Sequence, residues 1–207
     1  MTPKGGSAIR TSRRRGLLQL AGDRNGIFTA ASARAAGITS SALAYYARTG
    51  AIERVAHGVY RLTDYPSNPE SAFIAAAAAL GDDAVVSHES ALRLYEVSDV
   101  APSQLHFTIP RHRRYRTLPA NDIVLHTTTT PIEDVDVVQH DGFRATSLGR
   151  SIVDAARSHT SPEQIEMAVR EGLRRGLLTT TEIERAMRNS PERVRRLIKR
   201  GINDATP

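Results

Sequence analysis

Leu17, Leu18 and Leu20 follow three arginines, Arg13, Arg14 and Arg15, and fall on one side of a helix that ends near Gly22. A second helix is predicted over AASARAA, with Thr29 placed to cap it and Gly37 suited to the left-handed conformation that closes it. The third, ALAYYART, has Ser40 or Ser41 as its cap and stops at Gly50. Within it Leu43, Tyr46 and Ala47 stand at i, i+3 and i+4, the spacing of an inward stripe, which turns Ser41, Ala44, Tyr45 and Arg48 the other way. Two short β-type runs, IERV and VYRL, then flank a turn at AHG. Helices around a glycine turn, followed by a β-hairpin, describe a winged helix-turn-helix over residues 12–64, after a small, polar, disordered start at 1–11.

Two prolines in DYPSNPE mark a linker at 65–70. Beyond it the pattern changes. An alanine-rich helix is predicted from Ser71 to Leu80, and another in SHESALRLYEV with Ser87 as its cap. QLHFTI and DIVLHTT alternate like strands, with RHRRYR between them, and VDVVQHDGFRAT reads as a hairpin turning at Asp141-Gly142. Helices follow in SLGRSIVDAARS, SPEQIEMAVREGLRRG, TEIERAMRN and SPERVRRLIKRG, the last with serine at its cap and proline in its first turn. Mixed helices and strands without a βαβ repeat make the chain α+β: an N-terminal winged helix-turn-helix, then a larger mixed domain over 71–207 that ends in helices.

Composition narrows the chemistry. At 207 residues the chain can bury a core unaided, and the absence of cysteine excludes disulfides, thiol nucleophiles and Cys-ligated zinc. That composition fits a reducing cytoplasm. No apolar run reaches the roughly 18 residues of a membrane span and no signal-type segment opens the chain, so the mature protein is expected to be the whole chain. A net charge of +6 favours polyanionic partners, nucleic acid first.

On that ground the exposed side of the third helix is a groove-reading set. Arg48 can take both acceptors of a guanine edge, Ser40, Ser41 and Tyr45 can reach bases or phosphates, and Ala44 permits close approach. In the wing Arg54, His57 and Arg61 are placed to meet the backbone, beside a tight turn at Gly58. Two further basic segments are candidate contacts for nucleic acid or for a protein partner. One is the loop carrying Arg111, Arg113, Arg114 and Arg116 with Tyr115; the other is the last helix, with Arg193, Arg195, Arg196, Lys199 and Arg200. Catalytic signals are poor: there is no metal-ligand spacing, no nucleotide-binding glycine loop and no cofactor motif, and Ser87, His88 and Asp154 read better as cap and core residues than as a hydrolase set.

GIFTAA at 26–31, AAGITSSAL at 35–43 and GAIERVAHGVY at 50–60 resemble the N-terminal winged helix of AbiEi antitoxins of bacterial type IV toxin–antitoxin systems. VVSHESAL at 85–92, LHFTIP at 105–110 and DGFRATSLGRSIVD at 141–154 resemble the antitoxin domain that follows it. The resemblance spans roughly residues 12–200. It implies a cytoplasmic repressor that binds inverted repeats in its own operon through the winged helix, and a cognate nucleotidyltransferase-like toxin that the second domain counters. Carried onto this chain, the DNA-binding region falls on Ser41, Tyr45, Arg48, Arg54, His57 and Arg61. Ser87, His88, Ser90, Thr146, Arg150 and Asp154 match the second-domain pattern without an assigned chemical role, and Arg150 and Asp154 are spaced to pair on one helix. Inverted repeats require two copies of the reader, and with no heptad seam in the sequence a monomer or weak dimer binding cooperatively is expected. The alternatives are covalent modification of the toxin, such as phosphoryl transfer, and a stand-alone regulator. Longer proteins with similar N-terminal regions continue into an endonuclease-like domain, and no nuclease activity is implied here.

Overall fold

A computed structural model describes residues 16–22, 24–66, 69–113 and 122–205. The chain divides into two compact units: the first runs to Asp82 and takes in Asp141–Phe143, and the second holds most of the rest from Asp83 on. Mixed helix and strand make it α+β.

In the first unit a helix α1 (16–22) is followed by β1 (Ile27–Thr29), α2 (Ala30–Ala35), α3 (Ser40–Arg48) and the hairpin β2 (Ile52–Ala56) and β3 (Val59–Leu62). The strands form a three-stranded antiparallel sheet in the order β1-β3-β2. β1 is too short to show alternation, and only its pairing with β3, Phe28 opposite Tyr60, reveals it as a strand. Leu17, Ala21, Phe28, Ala33, Ile38, Leu43, Tyr46, Ile52 and Leu62 make the core. Leu18 does not join them: it is 52% exposed, because Leu17 and Ala21, four apart, define the buried stripe of α1. α4 (Ser71–Leu80) follows 65–70 and contacts β1, β2 and β3, so the first compact unit extends past the segment read as a linker.

Cap chemistry sets the ends of these helices. Thr29 and Ser32 form a reciprocal capping box on α2. α3 is capped by Thr39, whose Oγ1 accepts from the Ala42 amide at 3.2 Å, rather than by Ser40 or Ser41, which lie in the first turn. Gly37 and Gly50 follow α2 and α3 with φ of +78° and +74°, the left-handed closure that glycine permits.

The second unit centres on a five-stranded sheet, β4 (Val85–Val86), β5 (Leu105–Pro110), β6 (Ile123–Thr128), β7 (Val137–His140) and β8 (Phe143–Thr146), in the order β6-β5-β4-β8-β7. β5 pairs with β6 in parallel and β4 with β8 in parallel, while β4 and β5 run antiparallel. Helices α5 (His88–Tyr95), α6 (Leu148–Arg157), α7 (Pro162–Arg174), α8 (Thr180–Met187) and α9 (Glu192–Asn203) bury one continuous apolar cluster, with Ile152, Ile165, Ile183 and Ile198 inside it. α9 begins at Glu192 with Pro191 at its cap, so Ser190 lies one residue outside the helix and its hydroxyl instead accepts from Arg157. None of the described helices is long and apolar enough to cross a membrane.

Candidate nucleic-acid interface

α3 presents the face that its periodicity predicts, with one change. Leu43 and Tyr46 are buried, whereas Ala47, expected in the same stripe, is exposed; Ala42 packs on the core in its place. Ser40, Ser41, Ala44, Tyr45 and Arg48 are exposed. The Ser41 hydroxyl lies 2.9 Å from Thr39 Oγ1, tying it to the cap. The Arg48 guanidinium sits over the Tyr45 ring, 5.8 Å from its centroid, and Tyr45 meets Tyr46 edge to face at 5.6 Å. A planar cation braced on a ring keeps its donors outward at low entropic cost, the requirement for bidentate contact with a base edge.

Tyr45 has a second environment. With Leu17, Leu18, Tyr46, Leu62 and Tyr65 it lines a pocket of about 450 Å³ beside the core. Its ring is therefore half committed to an apolar wall, which accords with an exposure of 39%. The sequence carried no sign of this wall, since Tyr65 comes from the segment read as a linker.

The wing separates its three polar residues. Arg54 donates from Nη2 to His57 Nδ1 at 3.1 Å and from Nε to the Ala56 carbonyl at 3.3 Å. Guanidinium can only donate, so His57 Nδ1 accepts and the ring carries its proton on Nε2. A bulge between Arg54 and Ala56, and Gly58 at φ +71°, close the turn. Arg61 lies opposite Glu53 across the β2–β3 pair and is bound to it at 2.6 Å. Arg54 and His57 are thus left at the wing tip, and Arg61 is half neutralised. Arg34, exposed in the last turn of α2, is a basic residue that the sequence reading passed over; its helix position was visible, but it belongs to no motif.

The other candidate contacts are differently placed. Arg113 pairs with Asp83 at 3.3 Å and Arg111 is exposed, while Arg114, Tyr115 and Arg116 lie outside the described residues. On α9, Arg196 is held by Glu192 at 2.9 Å, Arg200 by Glu166 at 2.7 Å, and Arg193 donates to the Ala156 carbonyl at 3.2 Å; Lys199 is exposed. Of the side chains that read as a cationic stripe, Arg193 and Arg200 tie α9 to α6 and α7, while Arg195 and Arg196 pair with Glu192 within α9 itself. In the second unit Ser87 opens α5 without a side-chain cap bond, because its Oγ meets His88 Nδ1 and accepts from Thr108 Oγ1, each at 2.8 Å. Ser90 accepts from the His106 amide, Thr146 Oγ1 meets Ser151 Oγ, and Arg150 donates to Asp154 at 2.7 Å as the spacing predicts. Among the described residues no group of side chains has the arrangement of a metal site.

Residues 15–63 match the family model described as a transcriptional regulator, AbiEi antitoxin. That span contains α1 to α3 and the wing. No curated protein matches the chain in sequence. Among solved structures the fold is similar to the crystal structure of RV2827C protein from Mycobacterium tuberculosis, with a TM-score of 0.60 and 16% identity over 92% of this chain and 77% of that one.

Proposed function

We propose that this protein is an autoregulating antitoxin: α3 enters the major groove of operator DNA, the wing lies on the adjacent backbone, and the second unit counters a nucleotidyltransferase-like toxin encoded beside it. The observation that carries the DNA half is the exposed pair of Arg48 and Tyr45 on a rigid, capped helix next to a wing tip bearing Arg54 and His57. Charge distribution supports it. Residues 1–82 hold ten Lys and Arg against five Asp and Glu, while residues 83–207 hold 18 against 17, so nearly all the net positive charge accompanies the winged helix. The toxin half is supported by the match of residues 15–63 to an antitoxin family model and by the second-domain pattern around Ser87, His88 and Arg150.

Both halves are testable in cells. A reporter driven by the DNA upstream of the gene should be repressed by the intact protein, and co-expression should rescue growth from the neighbouring toxin. Repression without rescue reduces the protein to a stand-alone regulator, and rescue without repression removes the operator role. Rescue accompanied by a mass increase on the toxin, in place of unmodified toxin, overturns neutralisation without chemistry.

A further inference from the structure

The second unit contains a polar pocket of about 630 Å³ that the DNA-binding account does not use. Its lining includes Arg111 after β5, His126 and Thr128 on β6, His88 at the start of α5, and Arg150 and Arg157 on α6. The volume is in the range of small-molecule sites, but the wall is polar rather than apolar.

His88 is the least ordinary residue in it. Its backbone has φ +54°, a left-handed conformation that a β-carbon makes costly, and its side chain is buried at 6% exposure. The ring stacks on His126 with centroids 3.4 Å apart, and His126 Nε2 lies 3.2 Å from His106 Nδ1. Ser87 Oγ accepts from Thr108 Oγ1 and lies 2.8 Å from His88 Nδ1, so the imidazole is anchored through that nitrogen. Burial first, then the neighbouring His126, His106 and Arg150, pushes His88 down to about 2, and burial with His106 pushes His126 down to about 4. The imidazoles are therefore neutral hydrogen-bonding groups at physiological pH.

Positive charge in the wall comes from the guanidiniums. Arg150 is bound to Asp154 at 2.7 Å and lies 3.7 Å from Asp136, and Arg157 donates to the Asn189 carbonyl at 3.0 Å and Ser190 Oγ at 3.1 Å. Each guanidinium has five N–H donors, more than these contacts consume. Arg111 is exposed at the rim, its backbone amide bound to the Thr128 carbonyl at 2.8 Å. Three cations face one carboxylate of the lining, Asp154. Several forked donors around one space suit an anion with many acceptor oxygens, and the room exceeds one such group.

We infer that this pocket binds the phosphate groups of a small phosphorylated ligand, with Arg111 as the entry contact, the Arg150 and Arg157 guanidiniums as donors, and His88 as an uncharged wall residue held in place by Ser87 and Thr108. Recognition is of the phosphates, since among the described lining residues Leu125 alone is aliphatic and the rest are polar or charged. This inference is independent of the operator and toxin readings.

The test is calorimetric titration of the full chain with pyrophosphate and with ATP, alongside Arg111→Ala, whose exposed site leaves the fold intact by circular dichroism. Both probes should saturate, with affinities within a few-fold of each other, and Arg111→Ala should weaken both by about tenfold, the worth of one charge-assisted contact. The imidazole nitrogen signals of His88 and His126 should shift on saturation in the wild type, while that of His57 stays in place. No saturation below about 10 mM, beyond the range of a specific site, overturns the proposal. So does binding that is unaltered in Arg111→Ala, or a shift confined to His57, which would put the anion on the wing.

Discussion

Arg48 lies over the Tyr45 ring and Arg54 donates to the His57 of its own turn, and among the described residues neither is held by a carboxylate. In the second unit Arg150, Arg196 and Arg200 are each bound to an acidic side chain, and Arg193 and Arg157 to carbonyls. The same residue type serves two ends: presented donors in one unit, and in the other braces within a helix (Arg150, Arg196) or between segments (Arg200, Arg193, Arg157). Charge counting cannot separate these uses, because a basic segment is a binding surface only where its partners are missing. In the second unit acidic residues nearly equal basic ones in number, 17 against 18 over residues 83–207, and seven of its arginines are paired with them.

The largest break of that contrast is Asp154→Ala. Burial holds its carboxyl above the usual range against the opposing pull of Arg150, and removal leaves the guanidinium of a mostly buried pair without its main partner. The second unit should lose on the order of 3 kcal/mol in urea unfolding. Operator affinity should stay unchanged.

Next comes pH. His88 has a folded pKa far below that of the unfolded chain, so its contribution is fully present above pH 6.5 and is lost as pH falls toward the folded value of about 2. At pH 5 the second unit should be weaker by about 2 kcal/mol from this group. His126 acts in the same direction, discounted for its partial exposure. His88→Asn, which tolerates the left-handed backbone, should flatten the acid limb of a urea midpoint against pH curve.

Smaller still is the wing. Arg54→Ala should lower the log–log salt slope of DNA binding by about 0.9, one phosphate contact, whereas Arg61→Ala should change it by less than half of that because Glu53 already holds the guanidinium. The smallest effect belongs to α9: Arg200→Ala should cost under about 1 kcal/mol in thermal unfolding and leave DNA binding unchanged, since its ion pair with Glu166 is largely exposed.

Much of the fold was legible because it is locally encoded. α4 spans Ser71–Leu80 as its alanine run predicts, the turn at Asp141-Gly142 falls between β7 and β8, and Thr29 caps α2. Gly50 and Gly58 mark their turns by chemistry that only a glycine supplies without strain. What escaped is non-local. β1 and β4 have three and two residues and exist only through their partners. The cap of α3 lay among three consecutive hydroxyls, and Thr39 prevails there because its backbone is extended where the helix begins. His88, His106 and His126 look scattered along the chain, and β5 and β6 must pair before they meet. The pairing of Glu53 with Arg61 needed the register of the hairpin. The exposure of Arg48 and Tyr45 was readable from helical period alone, and the apolar wall behind Tyr45 was not.

We propose that the outward face of α3 reads duplex DNA. Fluorescence titration of the upstream repeats with Arg48→Ala, with an unrelated duplex as reference, measures this. A lost bidentate contact of about 1–3 kcal/mol predicts an affinity for the repeats lower by roughly tenfold or more, little change on the unrelated duplex, and an unaltered unfolding midpoint. Equal affinity of mutant and wild type for the repeats, with the fold intact, contradicts the account.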